Sequence, residues 1–116
     1  MFYQLLDSIK QKPAFFLNQQ SAAGLHSFLL GWKTAKNAYQ LPQDEDERDF
    51  AGFQKWIAKR YNIGTSQSWP RIVTFFSRDE KESLALFFEL LDEYRSQESL
   101  GKTLTNAEED RVLEAA

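Results

Sequence analysis

The stretch that most constrains the fold is residues 77–97, SRDEKESLALFFELLDEYRSQ, which has the pattern of one amphipathic helix. Ser77 and Glu80 have the spacing of a capping box, in which each side chain accepts a hydrogen bond from the other residue's backbone N–H. A stripe of large apolar residues follows at helical spacing: Leu84, Phe87, Phe88, Leu91 and Tyr94. Leu86 and Leu90 widen this stripe. One neighbour cannot cover so broad a stripe, so the sequence predicts a central helix that at least two other elements contact.

The composition predicts a domain that needs no cross-link. A chain of 116 residues can bury about two-thirds of its unfolded surface, which is enough for a core. The absence of cysteine excludes disulfides, a thiol nucleophile and a thiolate zinc site. No apolar run approaches the roughly 20 residues that span a bilayer, and the basic residues of the N-terminal stretch follow the apolar ones, the reverse of a signal peptide. We therefore expect a cytoplasmic protein without a membrane partner.

The charge pattern argues against nucleic acid as a partner. The net charge of −3 opposes binding to phosphates. Residues 1–43 hold four lysines and one acid, whereas residues 44–116 hold ten basic and sixteen acidic side chains. Aromatic residues make up 15% of the chain, which leaves two interpretations open. They fill a small core, or some of the tryptophans (Trp32, Trp56, Trp69) anchor a partner.

The first forty residues predict two helices around a short apolar segment. Residues 2–11 repeat apolar side chains with helical period, and Pro13 ends that helix. Ala14–Leu17 is too apolar for a free loop, so we expect an extended segment that enters the core. Ser21 is placed to cap the next helix, in which Gly24 and Gly31 lie seven residues apart. That spacing puts both glycines roughly on one face, where we expect close packing against another element.

The middle of the chain predicts two more helices. One starts near Asp46, with acidic residues in its first turn, and continues to Tyr61. Residues 69–76 begin with Trp-Pro, and proline is tolerated in a first helical turn. Their β-branched and aromatic residues also suit a strand, but the chain offers no second strand to pair with it. A short helix is therefore favoured.

These patterns together predict an all-α fold, a compact bundle of about five helices around the central helix 77–97. Residues 1–97 form the single helical domain. Residues 98–116 are predicted to be a linker and a marginal C-terminal helix or tail, because Thr105 and Glu108 have capping-box spacing but only Val112 and Leu113 are strongly apolar.

Candidate catalytic groups are sparse. His26 is the only histidine, and no neighbouring residue suggests a nucleophile for it to activate. Glu89, Asp92 and Glu93 share one face of the central helix, where three interpretations are open: a solvated face, acid–base or metal chemistry, or an acidic docking surface. The chain has no glycine-rich phosphate loop and no dinucleotide-binding motif. We expect a protein that is not an enzyme and uses no cofactor or metal.

A partner-binding surface is the sharper expectation for the acidic and aromatic residues. The acidic run Asp44–Glu47, with Asp49, is able to extend the acidic face of the central helix. The candidate partner-binding residues are Glu89, Asp92, Glu93, Asp44, Glu45, Trp56 and Trp69.

Several short stretches carry a family resemblance over about residues 2–96: IKQKP at residue 9, LHSFLLGW at residue 25, FQKWI at residue 53, SW at residue 68, FFS at residue 75 and FFELLDEY at residue 87. In these stretches the chain resembles a family of small, mostly uncharacterised bacterial proteins, some of which look like immunity proteins of polymorphic-toxin or contact-dependent inhibition systems. Family members often carry a glycine and a methionine or tyrosine after the proline, where this chain has Ala14–Leu17. The resemblance implies a helical domain that acts by binding and supplies no catalytic residues.

Two functions follow as hypotheses. The first is a non-enzymatic protein-binding module, an immunity protein that occludes a toxin, and the acidic balance suits a basic toxin domain as partner. The second is a structural or regulatory adaptor that self-associates through exposed aromatics such as Trp56 or Trp69. A hydrolase that uses Glu89, Asp92 or Glu93 is the least favoured interpretation. The oligomeric state stays open.

Overall fold

The computed structural model describes residues 1–97, which form seven helices and no strand. The helices are α1 Phe2–Gln11, α2 Pro13–Phe16, α3 Ala22–Ala38, α4 Glu45–Phe50, α5 Phe53–Arg60, α6 Trp69–Phe75 and α7 Glu80–Ser96. The predicted all-α bundle is confirmed, with more helices than the expected five because of α2 and a break between α4 and α5. The predicted linker and C-terminal helix of residues 98–116 lie outside the described residues.

Helix α7 is the centre of the bundle, as predicted. It packs against α3, α5 and α6, and its stripe is buried from Ser83 to Tyr94. Phe87 is fully buried and its ring meets those of Phe53, at 5.5 Å, and Trp69, at 4.8 Å, between centroids. Aromatic rings from three helices therefore converge on the middle of α7, and such pairs stabilise a core beyond their buried area.

The predicted start of α7 at Ser77 is wrong. The Ser77 hydroxyl is turned back toward α6, where it donates a hydrogen bond to the Val73 carbonyl, and α7 begins only at Glu80. Asp79 caps α7 instead, and its carboxylate accepts from the Glu82 N–H at 2.8 Å. Asp79 precedes Glu82 by three residues, as Ser77 precedes Glu80, so the sequence holds two candidate caps and the later one forms.

The N-terminal part of the chain contacts the bundle through α1. Leu6 and Ile9 of this helix are fully buried. The prediction that Ala14–Leu17 is an extended core segment is wrong, because Pro13–Phe16 form the one-turn helix α2, with proline at a first-turn position. Leu17, which is extended, is buried in the core, Phe16 packs against the core while half-buried, and Phe15 lies exposed.

Helix α3 begins at its predicted cap, and the Ser21 hydroxyl accepts from the Gly24 N–H at 2.9 Å. The predicted shared packing face of Gly24 and Gly31 is wrong. A Cβ added at Gly24 would lie 1.9 Å from the Gln19 carbonyl oxygen, whereas a Cβ at Gly31 would meet nothing within 4 Å. Gly24 therefore permits the turn that leads into α3, and Gly31 is exposed.

The single helix predicted from Asp46 to Tyr61 is two helices. Helix α4 starts earlier, at Glu45, with Asp44 and Glu47 forming a complete capping box, and the chain bends at Ala51 and Gly52 before α5. The Tyr94 hydroxyl of α7 donates to the Asp49 carbonyl, and a Cβ at Gly52 would lie 2.6 Å from that hydroxyl oxygen. The bend thus accommodates a side chain from a distant part of the chain.

The predicted short helix over residues 69–76 is confirmed as α6. Ser68 occupies its N-cap position without a side-chain hydrogen bond, and the Trp69 N–H donates to the side-chain oxygen of Gln54 at 2.6 Å. No helix within residues 1–97 is both long and apolar enough to cross a membrane.

Candidate functional site

The acidic face predicted on α7 is present but largely neutralised. Glu89 and Asp92 are exposed and Glu93 is half-buried. Lys10 of α1 approaches the Asp92 carboxylate at 3.4 Å, and the Arg60 Nε–H of α5 donates to Glu93 at 2.9 Å. That hydrogen bond raises the pKa of Arg60 above its ordinary value. Two of the three acids therefore bind neighbouring helices, and Glu89 is the one turned to solvent without such a contact among residues 1–97.

The acidic run before and within α4 mostly holds the fold together. Asp44 caps α4, and its second carboxylate oxygen is buried without a hydrogen-bond partner among the described residues. Glu47 is buried and pairs with Lys36 of α3. Asp46 accepts hydrogen bonds from the Met1 amine at 2.8 Å and from a backbone N–H of α1, and the bond from the amine is the main cause that lowers its pKa. Of this run, Glu45 is exposed to solvent.

The charge of the domain is balanced. Residues 1–97 carry twelve basic and twelve acidic side chains, whereas residues 98–116 carry two basic and five acidic ones. The whole net charge of −3 therefore belongs to residues 98–116. The folded domain does not itself present the acidic excess that the chain average suggested.

The tryptophans predicted as exposed anchors are mostly internal. Trp69 is only 7% exposed, and its ring packs on Phe87 and His26, so its assignment as an exposed aromatic is wrong. Trp56 is half-buried, stacks on Phe53, and donates its indole N–H to the Gln97 side chain at 3.1 Å. The prediction that both rings are exposed rests on residue type alone. Their positions on α5 and α6 turn them toward α7, where they contact Tyr94 and Phe87.

No metal-binding cluster of side chains is assembled in the part of the chain that the structure describes. His26 is half-buried with its ring edge-to-face on Trp69, at 5.4 Å between centroids. Among residues 1–97 no three histidine, aspartate or glutamate side chains lie close enough to hold a metal ion. A small groove of about 180 Å³ beside α3 and α4 is lined by side chains that include Phe2, Trp32, Lys33 and Phe50.

The surface that sequence reasoning missed lies at the C-terminal end of α6. Phe75 is 79% exposed and Phe76 is 42% exposed. The Phe76 ring stacks on Tyr61, with centroids 4.2 Å apart and planes 13° apart. Both phenylalanines line an open groove of about 430 Å³, which we name the Phe75 groove; its lining residues are Ile63, Thr65, Gln67, Arg71, Ile72, Phe75 and Phe76.

Helical register explains why Phe75 faces outward. Trp69, Ile72, Val73 and Phe76 follow the i, i+3, i+4, i+7 pattern of one helix face, and the first three are buried against the core. Phe75 falls outside that stripe, and α6 ends there. The periodicity that predicts α6 therefore also predicts an exposed Phe75. Phe75 is easily assigned to the core because it stands among the apolar residues Ile72, Val73 and Phe76.

The Phe75 groove combines apolar surface with one available cation. Arg71 lines it, is exposed, and forms no ion pair or hydrogen bond with another residue among 1–97. Exposed aromatic side chains and arginine are the residue types that dominate protein–protein binding energy. The geometry suits binding of a side chain or segment that is apolar with a nearby carboxylate.

The comparisons add no relative to this description. Comparison of the chain with protein-family profiles, with curated proteins and with solved structures finds no match. The fold and the site define an all-α bundle with an exposed aromatic groove at the end of α6. The resemblance to immunity proteins stays a prediction.

Proposed function

We propose that the protein is a non-enzymatic protein-binding module that binds its partner through the Phe75 groove. The observation that supports this most is the exposure of Phe75 beside Phe76 and Ile63 at a groove. Other exposed apolar side chains exist, but Phe15 projects from the one-turn helix α2, next to the half-buried Phe16. Phe75 instead belongs to an apolar groove with an arginine on its wall, which has the anatomy of a binding hot spot.

The chemistry of the groove defines what the partner presents. An apolar side chain fits against Phe75 and Ile63, and a carboxylate nearby pairs with Arg71, because its guanidinium has no other acidic partner among residues 1–97. Arginine binds carboxylates through two parallel hydrogen bonds, which adds geometric specificity to the apolar contact. The partner segment is therefore apolar with at least one acidic residue.

The finer proposal, which rests on the family resemblance, is that the partner is a toxin domain and that binding occludes it. A toxin domain of basic overall charge is compatible with an acidic residue at the contact itself. The test is co-expression with the product of the adjacent reading frame in the source genome. Protection of the host cells supports the immunity function, and a toxic neighbour that the protein fails to neutralise contradicts it.

The binding mode is tested with a matched pair of variants. Phe75→Ser removes an aromatic ring that is 79% exposed at the groove, and Phe15→Ser removes one that is 81% exposed elsewhere. Each ring also meets its neighbour edge-on at 5.0 Å. We expect Phe75→Ser to weaken binding of the neighbouring gene product, measured by calorimetry, about thirtyfold or more, as for a residue worth 2 kcal/mol. Phe15→Ser keeps wild-type affinity; equal losses in the two variants contradict the assignment of the groove.

The acidic face of α7 gives the competing interface. If a basic partner binds there, Glu89→Lys weakens the complex and makes it less salt-dependent, whereas Phe75→Ser does not. The pairing of Asp92 with Lys10 and of Glu93 with Arg60 makes this face the weaker candidate. The two variants separate the two surfaces in one titration.

Self-association is the second candidate function, and the exposure of Phe75 and Phe76 is the observation that favours it. An isologous dimer would place the two grooves against each other. Light scattering across a concentration series decides between the functions. A dimer that Phe75→Ser dissociates and Phe15→Ser does not would support the adaptor, and a monomer at all concentrations excludes it.

A further inference from the structure

The Phe75 groove lies at the C-terminal end of α6, and a series of contacts links it to the last two turns of α7, from which residues 98–116 continue. Arg60 binds Glu93, one helical turn before Gln97. Tyr61, the residue after Arg60, stacks on Phe76 at the groove. One side chain pair and one ring stack therefore connect the groove with the point where the remaining chain leaves the domain.

Residues 98–116 have the charge that complements the groove. They carry the whole net charge of the chain, with five acidic and two basic side chains. Their acids cluster at Glu108–Asp110, next to the apolar pair Val112 and Leu113. Arg71, whose guanidinium has no ion-pair or hydrogen-bond partner among residues 1–97, is available to such a segment. The groove suits a segment in which apolar side chains lie close to carboxylates, and residues 108–113 have this composition.

We propose that residues 98–116 bind the Phe75 groove of their own molecule, with Val112 and Leu113 against Phe75 and the acidic cluster beside Arg71. The reach is sufficient, since the fourteen residues 98–111 span up to roughly 50 Å when extended, and α7, with 17 residues, is about 26 Å long. A short tether gives an effective concentration of the order of millimolar, so a modest affinity is enough to occupy the groove.

The consequence, which rests on the proposed function, is competition. Residues 98–116 cover the groove in the free protein, and a partner must displace them. If they occupy nine molecules in ten, the apparent affinity for the partner is about tenfold weaker than the intrinsic one. The same binding shields exposed phenylalanine rings that would otherwise promote aggregation.

A spin label on the full chain tests the contact without any partner. The protein has no cysteine, so Ala115→Cys gives a single attachment site for a nitroxide. We expect line broadening of the backbone amide NMR signals of residues 61–63 and 71–76. The control is the same labelled chain with Val112→Asp and Leu113→Asp, in which this broadening disappears.

The alternative occupants are separated by a mixing experiment. Spin-labelled chain at natural isotope abundance is mixed with ¹⁵N-labelled chain that carries no nitroxide. Line broadening in this mixture reports only contacts between molecules. Broadening that persists in the mixture assigns the groove to a second copy and overturns the proposal. Three other outcomes also overturn the proposal. The spin-labelled ¹⁵N chain shows no line broadening, the broadening affects other regions instead, or the double aspartate variant leaves it unchanged.

Partner affinity then distinguishes this proposal from the proposed function. The double variant Val112→Asp, Leu113→Asp is expected to bind the neighbouring gene product about tenfold more tightly, whereas Phe75→Ser weakens binding. If Phe75→Ser weakens binding and the double variant changes nothing, the groove is the partner site and residues 98–116 do not compete for it. If neither variant changes affinity, the proposed function itself fails.

Discussion

At the residue scale, Glu47 stands out because it is the one charged residue that is buried among residues 1–97. Its carboxylate is buried, accepts from the Asp44 N–H as part of the α4 capping box, and pairs with Lys36, whose ammonium lies 4.8 Å from the centre of the Trp32 ring. This ion pair joins α3 to α4. Removal of one partner of such a pair leaves a desolvated charge, which costs more than the pair contributes.

We therefore expect Glu47→Ala to lower the free energy of unfolding by about 3 kcal/mol, measured by urea denaturation. Asp92→Ala is the control, because it breaks the exposed Lys10–Asp92 pair, and exposed pairs contribute less than about 1 kcal/mol. Similar costs for the two variants would mean that Lys36 and Glu47 are not desolvated in solution.

Asp46 gives a pH-dependent contribution. Hydrogen bonds from the Met1 amine and the Tyr3 N–H lower its pKa in the folded protein. The ionised carboxylate therefore stabilises the fold above the ordinary pKa of about 3.9, and this contribution is lost as the pH falls through the lower folded pKa. Because the pair is partly exposed, we expect Asp46→Asn to cost about 0.5 kcal/mol at pH 7 and nothing near pH 2. A cost independent of pH would exclude the ionic contribution.

The capping residues show what local sequence can decide. Ser21 was predicted correctly because its acceptor role depends on the next three residues alone. Ser77 was not, because the sequence holds a second candidate, Asp79, three residues before Glu82, and α7 begins at Glu80 behind that later cap. A cap is predictable from sequence when a single capping residue precedes the helix, and it is ambiguous when two do.

At the scale of helices, the two glycines of α3 separate a steric requirement from a propensity cost. A Cβ at position 24 collides with the Gln19 carbonyl, whereas a Cβ at position 31 meets open space. We expect Gly31→Ala to raise the free energy of unfolding by about 1 kcal/mol through helix propensity. Gly24→Ala is expected to lower it, because the backbone turn before α3 must shift.

Paired thermal melts check this comparison, since the same substitution is made twice in one helix. The sign of the two effects is the informative quantity. A gain in stability from Gly24→Ala would mean that the chain around Gln19 does not approach α3 as described.

The break between α4 and α5 shows why helix boundaries were harder to predict than helix content. The apolar spacing of Phe50, Phe53 and Ile57 is compatible with one continuous helix, and local residues alone do not exclude it. The bend depends on Tyr94, which is more than forty positions away and donates to the Asp49 carbonyl. Such a long-range hydrogen bond is invisible to periodicity, which explains why the all-α class and the central helix were predicted and this bend was not.

At the scale of the whole molecule, burial divides the phenylalanines into two groups. Those near the middle of α7, Phe53, Phe87 and Phe88, fill the core, and periodicity predicted the two in α7. Phe75 and Phe15 lie at the surface. The candidate site could not be predicted from composition, because a high aromatic content fits a core and a binding surface equally well until each ring has a position.

The balanced charge of residues 1–97 changes how the acidic character of the chain is interpreted. The domain has as many basic as acidic side chains, and most acids near α4 and α7 pair with cations or with backbone N–H groups. Residues 1–97 therefore have a weak overall electrostatic field, and steering of a charged partner by net charge would be weak.

The central claim is that Phe75 is dispensable for the fold and thereby available for binding, and paired urea denaturation of Phe75→Ala and Phe87→Ala tests it most directly. Phe87 is fully buried and Phe75 is 79% exposed. We expect Phe87→Ala to lower the free energy of unfolding by about 3–5 kcal/mol and Phe75→Ala to change it by less than about 0.5 kcal/mol. A loss for Phe75→Ala as large as that for Phe87→Ala would place Phe75 inside the core and contradict the account.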